Sequence, residues 1–394
     1  MLLNLDEEQS LIDSSVVDML KNEYSFQQRR YSLESEYGVN EAIWKQFADL
    51  GWLGMSLNAK AGGLELGLLE SGLLMAGLGR HLVIEPVWSS AILAAHALQR
   101  CAPSRIDLLE SLVNGDERAA LVYQGVTSLV NDGPSFLAKK TSTGYELSGK
   151  LNICPGAPSA EHLLVLAALD PDQGKHSALF LVHRNTPGVV LQDFQMLDGS
   201  RASTVSINQA NLSLQCMLSD RQDTQSVLDV TIAQSMLLLS WEAMGSMTAA
   251  FEQTCSYVST RKQFDRPLRE FQVVQHRLAE MAVLCREARA ICELGVTQVN
   301  SRPTDTIEIA MHVKAKVSRC AQTVSKECVQ LHGAMGVTED LAIASHFRKL
   351  LWFQTLWGQA EELDERTGAL RLKSGDAFQS AILSNLPALA PIKH

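Results

Sequence analysis

Residues 261–272 read RKQFDRPLREFQ, a charged stretch carrying two aromatics between long segments of helical texture. Arg261 and Gln272 stand eleven residues apart. That is too far to share one helix face without a break, and Pro267 supplies the break because its ring fixes φ and removes an N–H donor. Upstream, 235–245 reads SMLLLSWEAMG, where Glu242 interrupts a run of Met, Leu and Trp that otherwise has the texture of a buried helix. An ionised carboxylate without a partner is costly in such a setting, so a surface position, a partner or a chemical use has to account for it. Downstream, QLHGAMGVT at 330–338 closes a further helical run, and SRPT at 301–304 is the other marked interruption.

Working outward, the chain divides into three textures. Up to about residue 115 apolar residues recur at three- and four-residue spacing, as in DEEQSLIDSSVVDMLKNEY, and a Gly62–Gly63–Gly67 loop leads into two helices around Glu85-Pro86. From 116 to 220 short alternating or apolar runs are separated by Gly, Pro, Asn and Asp: RAALVYQG, SFLAKKTS, GYELSGKLNI, HLLVLAAL, SALFLVHR and ASTVSINQANL. From 221 onward long helices return. This order predicts an α+β protein: an N-terminal α-helical domain (1–115), a middle β domain (116–220) and a C-terminal four-helix bundle (221–394). A chain of 394 residues exceeds the usual limit for one hydrophobic core, which agrees with such a division.

Composition narrows the function. Hydrophobic residues at 46% and charged residues at 20% fit a globular protein. A formal charge of −10 without Lys/Arg clusters argues against a nucleic-acid partner. No run of 18 apolar residues occurs, and MLLNLDEEQS has acids where a secretion signal would be basic, so neither a membrane span nor export is expected. The eight cysteines form no CxxC pair, so no metal site or disulfide framework is signalled and a reduced, cytoplasmic setting is the simplest account.

RKQFDRPLREFQ and QLHGAMGVT closely resemble signatures of the acyl-CoA dehydrogenase family, and the three-part texture spans the whole family fold. Supporting stretches look most similar to the small subunit of pimeloyl-CoA dehydrogenase and to subunits of heteromeric dehydrogenases acting on steroid side-chain CoA esters. The resemblance implies FAD as cofactor, an acyl-CoA substrate, a homologous large subunit in an α2β2 heterotetramer, and electron-transfer flavoprotein as oxidant. It implies that Arg261, Gln263, Phe264 and Gln272 meet the FAD of a neighbouring subunit, with the guanidinium fork suited to pyrophosphate oxygens. Gln330, Gly333, Ala334 and Gly336 would meet the same cofactor, the glycines letting backbone approach it. Ala334 stands where a second glycine is common. His332 reads as a packing or hydrogen-bonding residue.

The departures bear on catalysis. The family reaction removes an α-proton with a carboxylate while a hydride leaves Cβ for the flavin. The usual base position before the late glycine is Trp357, and the alternative early position on the helix leading into RKQF is Ser235. Neither side chain has the basicity. Glu242 lies seven residues beyond Ser235, two helical turns and roughly 10 Å along the same face, and is the expected base. A carboxylate in an apolar pocket is suited to that task because desolvation raises its pKa. The β region lacks the family's TEPxxGSD-like loop at LVYQGVTSL, and Ile153 and Pro155 stand where a Trp and a Thr/Ser would flank the flavin. Two other readings of the same residues stay open: a noncatalytic subunit completing a partner's FAD site, and a flavin monooxygenase of the same fold.

Overall fold

The computed structural model describes residues 5–126, 134–169, 176–338 and 340–374. The N-terminal region holds α1 (Glu7–Glu23), α2 (Phe26–Glu34), α3 (Glu41–Asp49), α4 (Leu68–Arg80), α5 (Ala95–Cys101) and α6 (Ile106–Val113). α1 begins with a capping box in which Asp6 accepts from Gln9 N and the Gln9 side chain accepts from Asp6 N, satisfying donors that the first turn leaves free. α5 is preceded by a π-helical stretch, Val87–Ala94, entered through Pro86. π-helical geometry is rare, and its usual single-turn form is frequent at functional sites.

The sheet comprises β1 (Ala119–Val122), β2 (Phe136–Lys140), β3 (Gly144–Pro155), β4 (His162–Leu169), β5 (Ser177–His183), β6 (Val189–Gln195), β7 (Arg201–Ser213) and β8 (Met217–Ser219). The strand order is β6-β7-β3-β2-β4-β5-β8, with β1 parallel to the first half of β4 and β2 parallel to its second half. Alternation sorts the side chains: Leu164 and Leu166 pack into the helical core, while Leu163 and Val165 pack into the sheet's other face. β6 and β8 are absent from the runs recognised in the sequence. They are the two edge strands, half-exposed or only three residues long, so VVLQDFQ and MLS carry little apolar alternation.

The C-terminal region contains α7 (Thr224–Thr260), α8 (Gln272–Ser301), α9 (Thr306–His332), α10 (Ala342–Thr355) and α11 (Ala360–Ser374). A two-stranded hairpin, β9 (Lys262–Gln263) and β10 (Arg266–Pro267), separates α7 from α8. Four helices pack as a bundle, and α11 adds a fifth against α9. α7 is long and apolar enough to cross a membrane by composition, yet it is the buried centre of this bundle. α4 approaches it backbone to backbone. A Cβ on Gly79 would stand 1.9 Å from Glu242 O, and one on Gly245 would stand 2.0 Å from Ala76 O, so glycine is required at both crossings.

Candidate active site and cofactor-contact surface

A cleft of about 510 Å³, counted with its open mouth, forms where the three regions meet. Trp88 comes from the π-helical stretch, Asp198 from the β6–β7 turn, Leu239 and Glu242 from α7, and Lys349 and Trp352 from α10. Pro155, at the end of β3, forms part of the sheet-side wall and brings no N–H to it. Ile153 is partly exposed.

Glu242 is buried, and it is not alone. Its Oε1 lies 2.8 Å from Lys349 Nζ, and Asp198 Oδ2 lies 3.8 Å from the same ammonium. Arg29 of α2 reaches in from the N-terminal region and donates to Asp198 O at 2.9 Å and to Leu82 O at 3.0 Å. Burial pushes the Glu242 carboxyl above its ordinary value, Lys349 pulls it back, and Asp198 adds to the rise. Of the accounts left open for Glu242, a surface position is excluded and a partner is found: Lys349, 107 residues further along.

Ser235 and Trp357, where the family pattern would put a base, converge on one side chain. Trp88 Nε1 donates to Ser235 Oγ. The Trp88 ring meets Trp357 and Trp352 edge-on, each with centroids 6.0 Å apart. Trp357 Nε1 donates to Gly125 O at 3.2 Å, and Trp357 adopts φ 60 in the turn between α10 and α11. Leu239 lies between Ser235 and Glu242 on the cleft side of α7, but Ser235 itself sits behind Trp88. The LVYQGVTSL stretch is described only as far as Val126, and Thr127–Leu129 lie outside the described residues.

A second surface gathers at the far end of α7. Phe264 (φ 53) and Asp265 (φ 63) make the two-residue left-handed turn of the β9–β10 hairpin, the geometry of a type I′ turn. Phe264 is 85% exposed. Arg266 lies over the Phe271 ring at 4.0 Å. Arg261, Gln263 and Gln272 are exposed, and among the described residues their side chains have no hydrogen-bond or ion-pair partner. Tyr257, one turn before Arg261, stacks on His332 with centroids 4.3 Å apart, which brings the ends of α7 and α9 together. Gln330 is exposed at the end of α9. Gly333 (φ 60) and Ala334 follow it in an exposed 3-10 turn whose Gly336 is buried; a Cβ there would stand 2.8 Å from Val329 O. His332 is buried, with Nδ1 2.9 Å from Cys328 O.

Trp88, Asp198, Lys349 and Arg29 are absent from the sequence reading of the site. Lys349 follows Arg348 in FRKLLWFQ and looks like ordinary surface charge. Its one signal is the helical phase that puts it on the apolar side of α10 beside Trp352 and Phe353.

Helices, sheet and helical bundle around such a cleft define an acyl-CoA dehydrogenase fold, and the chain belongs to that family of FAD-dependent oxidoreductases. Residues 6–103 match the acyl-CoA dehydrogenase N-terminal domain and residues 226–366 the acyl-CoA dehydrogenase C-terminal domain. Among relatives, acyl-CoA dehydrogenase FadE27 of Mycobacterium tuberculosis is 26% identical, over 79% of this chain and 83% of that protein. A variant of the Tcur3481-Tcur3483 steroid ACAD superposes with a TM-score of 0.83 at 27% identity, covering 94% of this chain and 99% of that one. The ChsE4-ChsE5 complex from Mycobacterium tuberculosis superposes with a TM-score of 0.81 at 24% identity, covering 98% and 100%.

The two surfaces fit FAD unequally. Unpaired Arg261 and Gln272, at the helix ends that flank an exposed hairpin, suit an anionic dinucleotide presented from another subunit. The cleft side does not suit a flavin ring, because Pro155 has no N–H to offer and the Trp88 and Trp352 side chains share the lining with it.

Proposed function

We propose that this chain is the FAD-site-completing subunit of a heteromeric acyl-CoA dehydrogenase that catalyses α,β-dehydrogenation of an acyl-CoA thioester. Its large partner subunit would carry the base and the flavin cradle, in a cytoplasmic α2β2 complex that passes electrons to electron-transfer flavoprotein. The single observation behind this reading is the contrast between the two surfaces: Arg261 and Gln272 stand free on the outside, while Ser235 and Trp357 are shut behind Trp88. Likeness to the two-component Tcur3481-Tcur3483 steroid ACAD supports the heteromeric part and suggests steroid side-chain esters as substrates. When bound, FAD takes up the electrons of the oxidation. Arg261 would neutralise its pyrophosphate through a forked pair of donors, Gln272 and Gln330 would hydrogen-bond the same cofactor, and Phe264 would keep water from it.

In the co-expressed complex, Arg261→Ala should cost about 1.5–3 kcal/mol of flavin affinity, the range for hydrogen bonds to charged groups. The expected product is an assembled but flavin-poor complex, and full flavin occupancy would sink the proposal. A second reading is favoured by one observation, that Glu242 lines the cleft with its carboxyl pushed up by burial. There Glu242 is the α-proton base. Glu242→Gln separates the two: flavin reduction by acyl-CoA stays unchanged under the first and falls at least ~10²-fold under the second, the lower end for a positioned base.

A further inference from the structure

We propose that Trp88 is the residue that keeps an acyl chain out of this subunit, its indole filling the apolar space that would otherwise run from the cleft to Ser235 and Trp357. The proposal rests on the reading of this chain as the base-free subunit and says what closes its groove.

Four observations carry it. Trp88 lines the cleft on one side and touches Ser235 and Trp357, each only 1% exposed, on the other. Its single N–H is satisfied inside the protein by Ser235 Oγ, so the ring is held in place rather than merely packed. Its edges are clamped between Trp352 and Trp357, at interplanar angles of 78° and 83°. The backbone beneath it is the π-helical Val87–Ala94 stretch, whose widened turn changes the direction in which Trp88 projects from that of a regular helix.

Taking the indole away would leave a dry space on the order of 150 Å³, a size that accepts a benzene-sized guest. Its walls would be Trp352, Trp357 and Leu239, with Ser235 Oγ as the single hydrogen-bond acceptor at one end. Two chemical classes suit such a space: a flat ring bearing one N–H, and the apolar chain of a thioester entering from the open mouth.

The test uses the full chain co-expressed with a homologous large subunit. Octanoyl-CoA sites are counted by titration calorimetry on wild type, Trp88→Phe and Trp88→Ala, and melting is followed with and without indole. Wild type and Trp88→Phe should bind one octanoyl-CoA per two chains. Trp88→Ala should add a second class of sites, doubling the count, and should melt at higher temperature with indole while wild type does not respond. If Trp88→Ala does not assemble, Trp88→Leu opens less space and undergoes the same measurements. One site per chain in wild type would overturn the proposal. So would an indole-responsive Trp88→Ala or Trp88→Leu complex with no added octanoyl-CoA sites, or a variant that neither responds to indole nor gains sites. Flavin content of the Arg261→Ala complex does not depend on Trp88, so failure of the subunit reading would appear there separately.

Discussion

Replacing Lys349 by Met should destabilise this protein strongly, and in a way that depends on pH. At 2.8 Å from Glu242 and 3.8 Å from Asp198, the ammonium gains a gross attraction of about 6 and about 4 kcal/mol at an effective dielectric of 20. Desolvation cancels most of that, but removing one partner leaves the other charge buried and uncompensated, at a cost of ~3–5 kcal/mol. Asp198 keeps its Ser200 donors, at 3.1 Å from N and 2.6 Å from Oγ, so the burden falls on Glu242. Glu242 already sits above its ordinary pKa through burial, and losing Lys349 removes both influences that lower it.

A carboxyl whose folded pKa exceeds its unfolded one weakens the folded state progressively as pH rises from the unfolded value through the folded one. The loss in Lys349→Met should therefore be small near pH 5 and large near pH 8. In the double variant Lys349→Met/Glu242→Leu no unpaired acid remains on α7, and most of the lost stability should return at pH 8. Denaturation midpoints at fixed protein concentration, at both pH values, measure all three proteins; concentration is held because assembly contributes to stability. A loss under about 1 kcal/mol at pH 8, an equal loss at both pH values, or a double variant no better than the single would refute the reasoning.

Lys314 donates to Gln354 O at 3.1 Å and Gly358 O at 3.0 Å, and burial lowers its pKa to about 7, against a pull upward from Glu362. Between that value and the unfolded value of about 10.4 the unfolded chain binds the extra proton. Wild type should therefore gain melting temperature relative to Lys314→Met between pH 7 and 9, and parallel profiles would contradict this. Phe264→Asn suits the left-handed turn and removes the exposed ring, so the isolated chain should melt no lower while assembly with the large subunit weakens at least ~10-fold, as for a buried aromatic anchor. Ultracentrifugation would show it, and unchanged assembly would mean that Phe264 stays in water. Gly79→Ala drives a methyl into the Glu242 carbonyl and should cost at least about 1–3 kcal/mol, the range for overpacking. A thermal melt indistinguishable from wild type would show that α4 and α7 can part.

What the sequence determined by itself was local and periodic. The change from 3.6-residue to two-residue spacing and back marks the helices, the strands of the sheet interior and the long bundle, because each depends on which face of one segment is apolar. Pro267 marks where α7 and α8 must part, and the RKQF and QLHGAMG stretches mark the surface proposed here to meet the cofactor, since exposed Arg and Gln beside a turn need nothing distant to be recognisable. The cleft was decided by the tertiary structure. Glu242 acquires its partner from a helix 107 residues away, and Ser235 and Trp357 are joined through an indole on a third segment. Edge strands β6 and β8 emerge only when the sheet assembles beside them. Periodicity records that a side chain is buried, whereas the charge or ring it is buried against depends on how separate segments pack, and that pairing is what decides whether Glu242 is a base or half of an ion pair.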